Sequence, residues 1–174
     1  VYDVFDAQAM ADRLSHILMR NTDQANNMML NLLDSHDTER FLTLAKKNGK
    51  DERSLLCSLA IMFFLPGMPC IYYGTEIGME GGYDPDCRRT FDWNRKNWNM
   101  RVYATVINLI RLRKCIKGDV TYSAGNGILL IGRGDLILAV NNGTEKRRTK
   151  ILHKEYEIGP FEFIIINIKE GGVL

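Results

Sequence analysis

Two short clusters in this 174-residue chain combine groups that could do chemistry. The first is Ser35-His36-Asp37-Thr38-Glu39-Arg40, where an imidazole and a carboxylate stand side by side. Such neighbours can bind a polar ligand or support acid/base work. The second is Asp84-Pro85-Asp86-Cys87-Arg88-Arg89. A guanidinium beside a carboxylate can grip ligand hydroxyls or a ligand carboxylate with directed hydrogen bonds. Each cluster also has a plainer reading. Asp37 or Thr38 could cap a helix. Asp84 and Arg88 could form a local ion pair that stiffens a loop, and that reading is compatible with ligand binding.

Other chemistries lack their residues. His16, His36 and His153 are far apart and make no zinc motif, and no stretch has the frame of a calcium loop. No metal is therefore expected. Gly125-Asn126-Gly127 precedes an apolar strand and not a helix, so it reads as a hairpin turn and not a phosphate loop. There is no G-x-S-x-G, and nothing asks for a cofactor. Cys57, Cys70, Cys87 and Cys115 show no C-x-x-C spacing, and two of them sit in apolar runs. Free thiols in a reducing compartment follow, which points to the cytoplasm.

Composition narrows the partners. Lys+Arg total 23 against 21 Asp+Glu, a formal charge of +2, with 45% hydrophobic and 25% charged residues. These are globular values that give no mandate for nucleic acid or membrane. The basic cluster Lys146-Arg147-Arg148 with Lys150 reads as a solvated turn. No apolar run approaches the roughly 20 residues of a membrane helix. Val1 to Asp6 lacks Met and a basic n-region, so it reads as a start inside a longer chain.

The elements that must position the clusters follow from periodicity. Met10, Leu14, Ile17 and Leu18 line one face of a helix that ends at Asn21-Thr22-Asp23. Met28 to Leu33 is a short apolar run that suits a strand buried on both faces, with Met28 and Met29 in the core. Asp51-Glu52 opens a second helix whose stripe is Leu55, Leu56, Leu59, Met62 and Phe63, closed by Pro66-Gly67. Pro69 to Gly74 reads as the next strand, giving a strand–helix–strand unit and a parallel pair. Both clusters then lie past the C-terminal ends of parallel strands, where such folds place their sites. Residues 74–95 form a long Gly-rich loop whose aromatics argue against disorder. A helix with stripe Val102, Val106, Leu109 and Ile110 follows, with Gly118 as its C-cap. Beyond it, 128–131, 136–140 and 161–168 read as strands of an antiparallel module. The chain thus divides into 1–118 and 119–174. Two parallel strands are far fewer than the eight of a closed (β/α)8 barrel, which needs about 250 residues.

At the two clusters the sequence resembles a known family. Leu32-Leu33-Asp34-Ser35-His36-Asp37-Thr38-Glu39-Arg40 is similar to the seventh-strand motif of the α-amylase family, glycoside hydrolase family 13. Pro66 to Met79 resembles the family's eighth strand and the start of its loop. Gly81 to Arg89 with Asp92-Trp93 is most similar to the neopullulanase, cyclomaltodextrinase and maltogenic amylase branch. The resemblance implies that 1–118 is the C-terminal portion of a (β/α)8 TIM barrel, incomplete here, and that 119–174 is the small β-sandwich-like domain after it. It implies a retaining mechanism on α-glucan oligosaccharides, with nucleophile and acid/base on strands this chain lacks. Asp37 then matches the third carboxylate, which steadies the transition state. His36, Asp84 and Arg88 match substrate-binding positions. Trp93 and Trp98 could stack on sugar rings, although packing under the loop is the plainer reading.

The resemblance further implies that the chain is inactive alone. Its open barrel edges predict self-association, or pairing with the missing barrel portion. A glucanotransferase, or a non-catalytic carbohydrate-binding or assembly module on the same scaffold, remains as an alternative.

Overall fold

The computed structural model describes residues 6–174, and the N-terminal reading of Val1 to Phe5 lies outside the described residues. Helix α1 (Ala7–Met19) begins where the Asp6 carboxylate accepts the Ala9 amide. Its core-facing residues are Ala7, Ala11 and Leu14, so small side chains let the helix sit close to its neighbours. The expected stripe through Ile17 is corrected: that side chain is exposed. Thr22 does not merely end this helix; its hydroxyl caps α2 (Asp23–Met28).

Strand β1 (Leu30–Leu32) pairs in parallel with β2 (Met68–Cys70), Leu30 opposite Met68 and Leu32 opposite Cys70. Both strands are shorter than the apolar runs that announced them. Met28 belongs to α2 and is 71% exposed, not core. Leu30 and Leu32 are 58% and 46% exposed. The expected burial on both faces fails because Leu30 and Leu32, two residues apart and so on one face, are left uncovered; among the described residues β1 also has a strand neighbour on one edge only.

Two helices connect the pair. α3 is Phe41–Lys47 and α4 is Glu52–Phe64, with Asp51 accepting the Arg53 amide at the start of α4. α4 is apolar almost all round and buries nine of its residues, so it is a central element. Its last carbonyls are met by two guanidinium groups. Arg113 donates to the carbonyls of Phe63 (2.8 Å), Leu65 (2.9 Å) and Gly67. Arg133 donates to those of Phe64 (3.2 Å) and Leu65 (2.7 Å). Positive charge at a helix C-terminus and partners for orphaned carbonyls both stabilise that end. Gly67 then turns the chain at φ 90°, where a Cβ would collide with the Met29 carbonyl.

Residues 74–99 carry three short 3₁₀ turns, Thr75–Ile77, Asp86–Arg88 and Arg95–Asn97. Helix α5 (Met100–Arg113) follows, capped by the Asn99 side chain on the amides of Arg101 and Val102. Its C-cap is Lys114, not Gly118. Gly118 lies beyond it at φ 91°, packed against Gly134.

Seven strands complete the chain: β3 (Val120–Gly125), β4 (Ile128–Arg133), β5 (Leu136–Asn141), β6 (Arg147–Ile151), β7 (Lys154–Ile158), β8 (Glu162–Asn167) and β9 (Gly172–Val173). Five form an antiparallel sheet in the order β3-β4-β5-β8-β9, and β6-β7 is a separate hairpin. Asn126 and Gly127 both have positive φ at the β3–β4 turn, as the Gly-Asn-Gly reading required. The basic cluster at 146–150 is not a turn. Arg147 starts β6, and Lys146 and Arg148 both pair with Glu157 across the hairpin. One face of the sheet joins a core with α1, α4 and α5, including Leu14, Phe64, Val106, Ile131 and Leu138. The other face closes with the hairpin over Ile128, Ala139, Ile151, Ile158 and Ile166.

Candidate functional site

The parallel pairing sends both clusters out of the same end of the β1–β2 pair. What fixes the first cluster is Asp34, the residue after the apolar run. Its side chain is buried, and its two oxygens accept the Phe41 amide (2.5 Å) and the Thr75 hydroxyl (2.6 Å). One carboxylate thus caps α3 and binds the loop after β2. The plainer reading of Asp37 or Thr38 as the cap is corrected: α3 starts at Phe41, and Asp34 takes its first amide.

Arg40 is the second anchor. Its side chain is 0% exposed, donates to the Tyr73 carbonyl at 2.7 Å and lies over the rings of Tyr72 (4.7 Å) and Tyr73 (5.0 Å). A buried cation against two π-faces is partly compensated by the ring quadrupoles. The Arg40 amide also donates to the Gly81 carbonyl at 2.9 Å. Gly81 approaches the second cluster so closely that a Cβ would lie 2.8 Å from the Asp86 carbonyl oxygen. Asp34, Arg40 and Thr75 lie inside the stretches that resemble the family but receive no role from the sequence; a charged residue ending an apolar run is the signal that Asp34 offers.

The two clusters meet at His36. Its carbonyl accepts from Arg88 Nε (3.1 Å) and from the thiol of buried Cys87 (3.2 Å). Arg88 Nε also lies 2.8 Å from Asp84 Oδ1, so the local ion pair exists and at the same time reaches the first cluster. His36 Nε2 stands 3.1 Å from Asp37 Oδ1. The Asp37 side chain is 69% exposed, and its carboxylate points to solvent and not into a cap. Within the second loop the Asp86 carboxylate takes the Gly82 amide (2.6 Å) and Arg89 Nη2 (2.6 Å). The Gly82 amide, then Arg89, holds its carboxyl below the usual carboxylate range. The structure therefore gathers His36, Asp37, Asp84 and Arg88 into one open patch rimmed by exposed polar groups. Among the described residues no group of three or more His, Cys, Asp or Glu is arranged to hold a metal ion.

A family model described as the catalytic domain of alpha amylase matches residues 3–125. The chain belongs to the α-amylase family. Its relatives place it on the maltogenic amylase and cyclomaltodextrinase branch of that family. The intracellular maltogenic amylase of Bacillus subtilis is 47% identical over 108 residues, which is 62% of this chain and 18% of that protein. The cyclomaltodextrinase of Thermoanaerobacter pseudethanolicus is 39% identical over 146 residues, 79% of this chain and 25% of that one. A solved cyclic α-maltosyl-(1→6)-maltose hydrolase from Arthrobacter globiformis superposes with a TM-score of 0.83 at 29% identity, covering 94% of this chain and 40% of that structure. The chain thus spans no more than a quarter of the length of these two curated relatives. In fold terms it carries a parallel β/α portion of the amylase catalytic domain with an antiparallel sheet beyond it. No helix among the described residues is long and apolar enough to cross a membrane.

Proposed function

We propose that this chain carries the substrate-holding end of the active site of a retaining α-glucan hydrolase. The substrates are cyclodextrins, maltooligosaccharides or pullulan, cut at α-1,4 glucosidic bonds. Residues 1–118 supply the last two strands of the barrel, and 119–174 the small β domain. One observation carries the reading. A solvent-facing carboxylate, Asp37, is held beside His36 at the strand end where the Asp84–Arg88 loop docks.

In such a mechanism one carboxylate attacks the anomeric carbon while an acid protonates the departing oxygen. Water then releases the covalent intermediate. Neither group has a counterpart in these 174 residues on this reading. Asp37 acts differently: its negative charge faces the positive charge that develops on the sugar ring, and its oxygens accept sugar hydroxyls. His36 binds a neighbouring hydroxyl. Arg88, with Asp84, holds a glucose unit farther from the cut. Arg88 also fixes the His36 carbonyl, so ligand binding and loop position depend on one side chain.

The test uses two proteins. The 174-residue chain alone is expected to turn over β-cyclodextrin, pullulan and maltotriose no faster than blank. The same residues, replacing the matching segment of the Thermoanaerobacter cyclomaltodextrinase, are expected to retain hydrolysis. Asp37→Asn in that hybrid should lower kcat by about 10²–10³ with KM changed only a few-fold. Turnover by the chain alone, or an unimpaired Asp37→Asn hybrid, overturns the reading.

A further inference from the structure

Trp93 is 81% exposed, an unusual position for the largest apolar side chain. It is not loosely hung. Its ring lies 4.7 Å from that of Phe91, which lies 5.9 Å from Trp98, which lies 5.2 Å from Tyr103 on α5. Trp98 is in turn pinned by its indole N–H on the Asp92 carbonyl at 2.7 Å. The ladder therefore starts on a helix and ends with one indole presented to solvent. The intervening turn is equally fixed. Asp92 accepts the Asn94 amide and the Asn97 side-chain amide, each at 2.8 Å. These two bonds, Asn97 first, hold its carboxyl below the usual carboxylate range, so it stands there as an acceptor.

Trp93 borders a groove of about 470 Å³, also lined by Glu80, Arg89, Asp92 and Asn97. A second hollow of about 260 Å³ shares Glu80 and Asn97 with it and continues toward Asn99. Neither hollow is lined by His36, Asp37, Asp84 or Arg88. The first volume falls in the range of small-ligand sites, roughly 300–1,000 Å³. The lining is specific in kind. A flat apolar face adjoins the Asp92 carboxylate and the Asn97 amide, with two ion pairs beside them, Glu80 with Lys46 and Arg89 with Asp86. Carboxylates disfavour an anionic ligand, and the mixture of donors and acceptors suits neutral hydroxyls. A pyranose offers that combination, with a C–H face for the indole and a rim of hydroxyls.

We propose that the Trp93 groove is an accessory oligosaccharide-binding site, separate from the Asp37 patch, that takes two or more glucose units of a linear α-1,4 glucan. The linkage preference rests on the proposed α-glucan function. The site itself rests on the exposed, pre-organised indole and its polar wall. Pre-organisation matters because a fixed platform loses little freedom when the ligand binds.

Calorimetric titration of the 174-residue chain with maltoheptaose tests this, with cellohexaose as the stereochemical control. Trp93→Ala should weaken maltoheptaose binding about tenfold or more, and Trp93→Tyr, which keeps a flat ring, only a few-fold. Arg148→Ala, on the β6–β7 hairpin and outside both the groove and the Asp37 patch, should leave this binding unchanged. Matching thermal melts of the variants exclude a folding effect, since the side chain is on the surface. Binding that survives Trp93→Ala but is lost in Asp84→Ala overturns the inference and leaves the proposed function standing. No binding of maltoheptaose by the chain also overturns it, while the hybrid enzyme still tests the function independently. Equal binding of cellohexaose overturns the α-1,4 preference.

Discussion

Asp34 does more for the candidate site than its neighbours that face the solvent. Its carboxylate ties the first cluster to the loop after β2, through Phe41 and Thr75. Replacing it by Ala would leave a half-buried amide and a buried hydroxyl without this acceptor. The expected cost is about 2–4 kcal/mol in urea unfolding, with Asp34→Asn losing less because one acceptor oxygen remains. If Asp34→Ala unfolds at the native urea midpoint, the anchor is not where the hydrogen bonds place it. The same contrast explains what was legible in the sequence. His36, Asp37, Asp84 and Arg88 could be singled out because they are short-range pairs in a loop with turn residues. Asp34 and Arg40 could not, because one is bound to residues on another strand's loop and the other is buried under Tyr72 and Tyr73. A sequence does not say that an arginine will be fully enclosed.

At the level of elements, the C-terminal end of α4 is where three parts of the chain meet. Arg113 brings α5 to it, and Arg133 brings β4. Burial lowers the pKa of both guanidinium groups, yet each keeps its charge at any ordinary pH. Arg113→Ala is expected to cost about 2–4 kcal/mol and Arg133→Ala about 1–3, read as shifts in urea midpoint. Arg113→Ala should also speed amide exchange at Met68, whose N–H bonds the Met29 carbonyl beside this junction. Equal exchange in mutant and parent would mean that the turn into β2 is held instead by Gly67 and by the Asn31 side chain, which donates to the Pro66 carbonyl at 2.6 Å. Helices with long stripes, such as α4, and strands bounded by Gly turns, such as β4 and β5, were readable from pattern. The three-residue strands were overread, since Met28 and Tyr72 to Gly74 continue the apolar run without continuing the ladder. The small-residue face of α1 was hidden because alanine adds little to a hydrophobic stripe. Strands β6 and β7 were hidden because their exposed positions are charged.

For the whole molecule, two features set conditions of stability. The Cys57 thiol is pushed up to about 12 from 9.0, and the Tyr122 hydroxyl to about 12 from 10.0, each by burial first. The unfolded chain gives up these protons near the ordinary values, whereas the folded chain retains them. Their contribution is complete below about pH 9 and is lost as pH rises toward 12. The urea midpoint should therefore fall between about pH 8 and pH 10.5, and less steeply in a Cys57→Ala, Tyr122→Phe double variant. The second feature is the uncovered face of β1, where Leu30 and Leu32 are exposed, with Met68 exposed on the paired strand opposite Leu30. Parallel strands are ordinarily covered on both faces, so this side invites pairing. Light scattering is expected to show concentration-dependent association that Leu30→Lys with Leu32→Lys removes; a parent that stays monomeric on concentration would count against it. Finally, α1 rests on β3 and β4, more than a hundred residues later in the chain. During translation this helix must therefore wait for that sheet until the ribosome has delivered Val120 to Arg133. For that interval its Ala7–Ala11–Leu14 face is a natural target for chaperones, and a synonymous change that slows decoding before Val120 would lengthen the exposure.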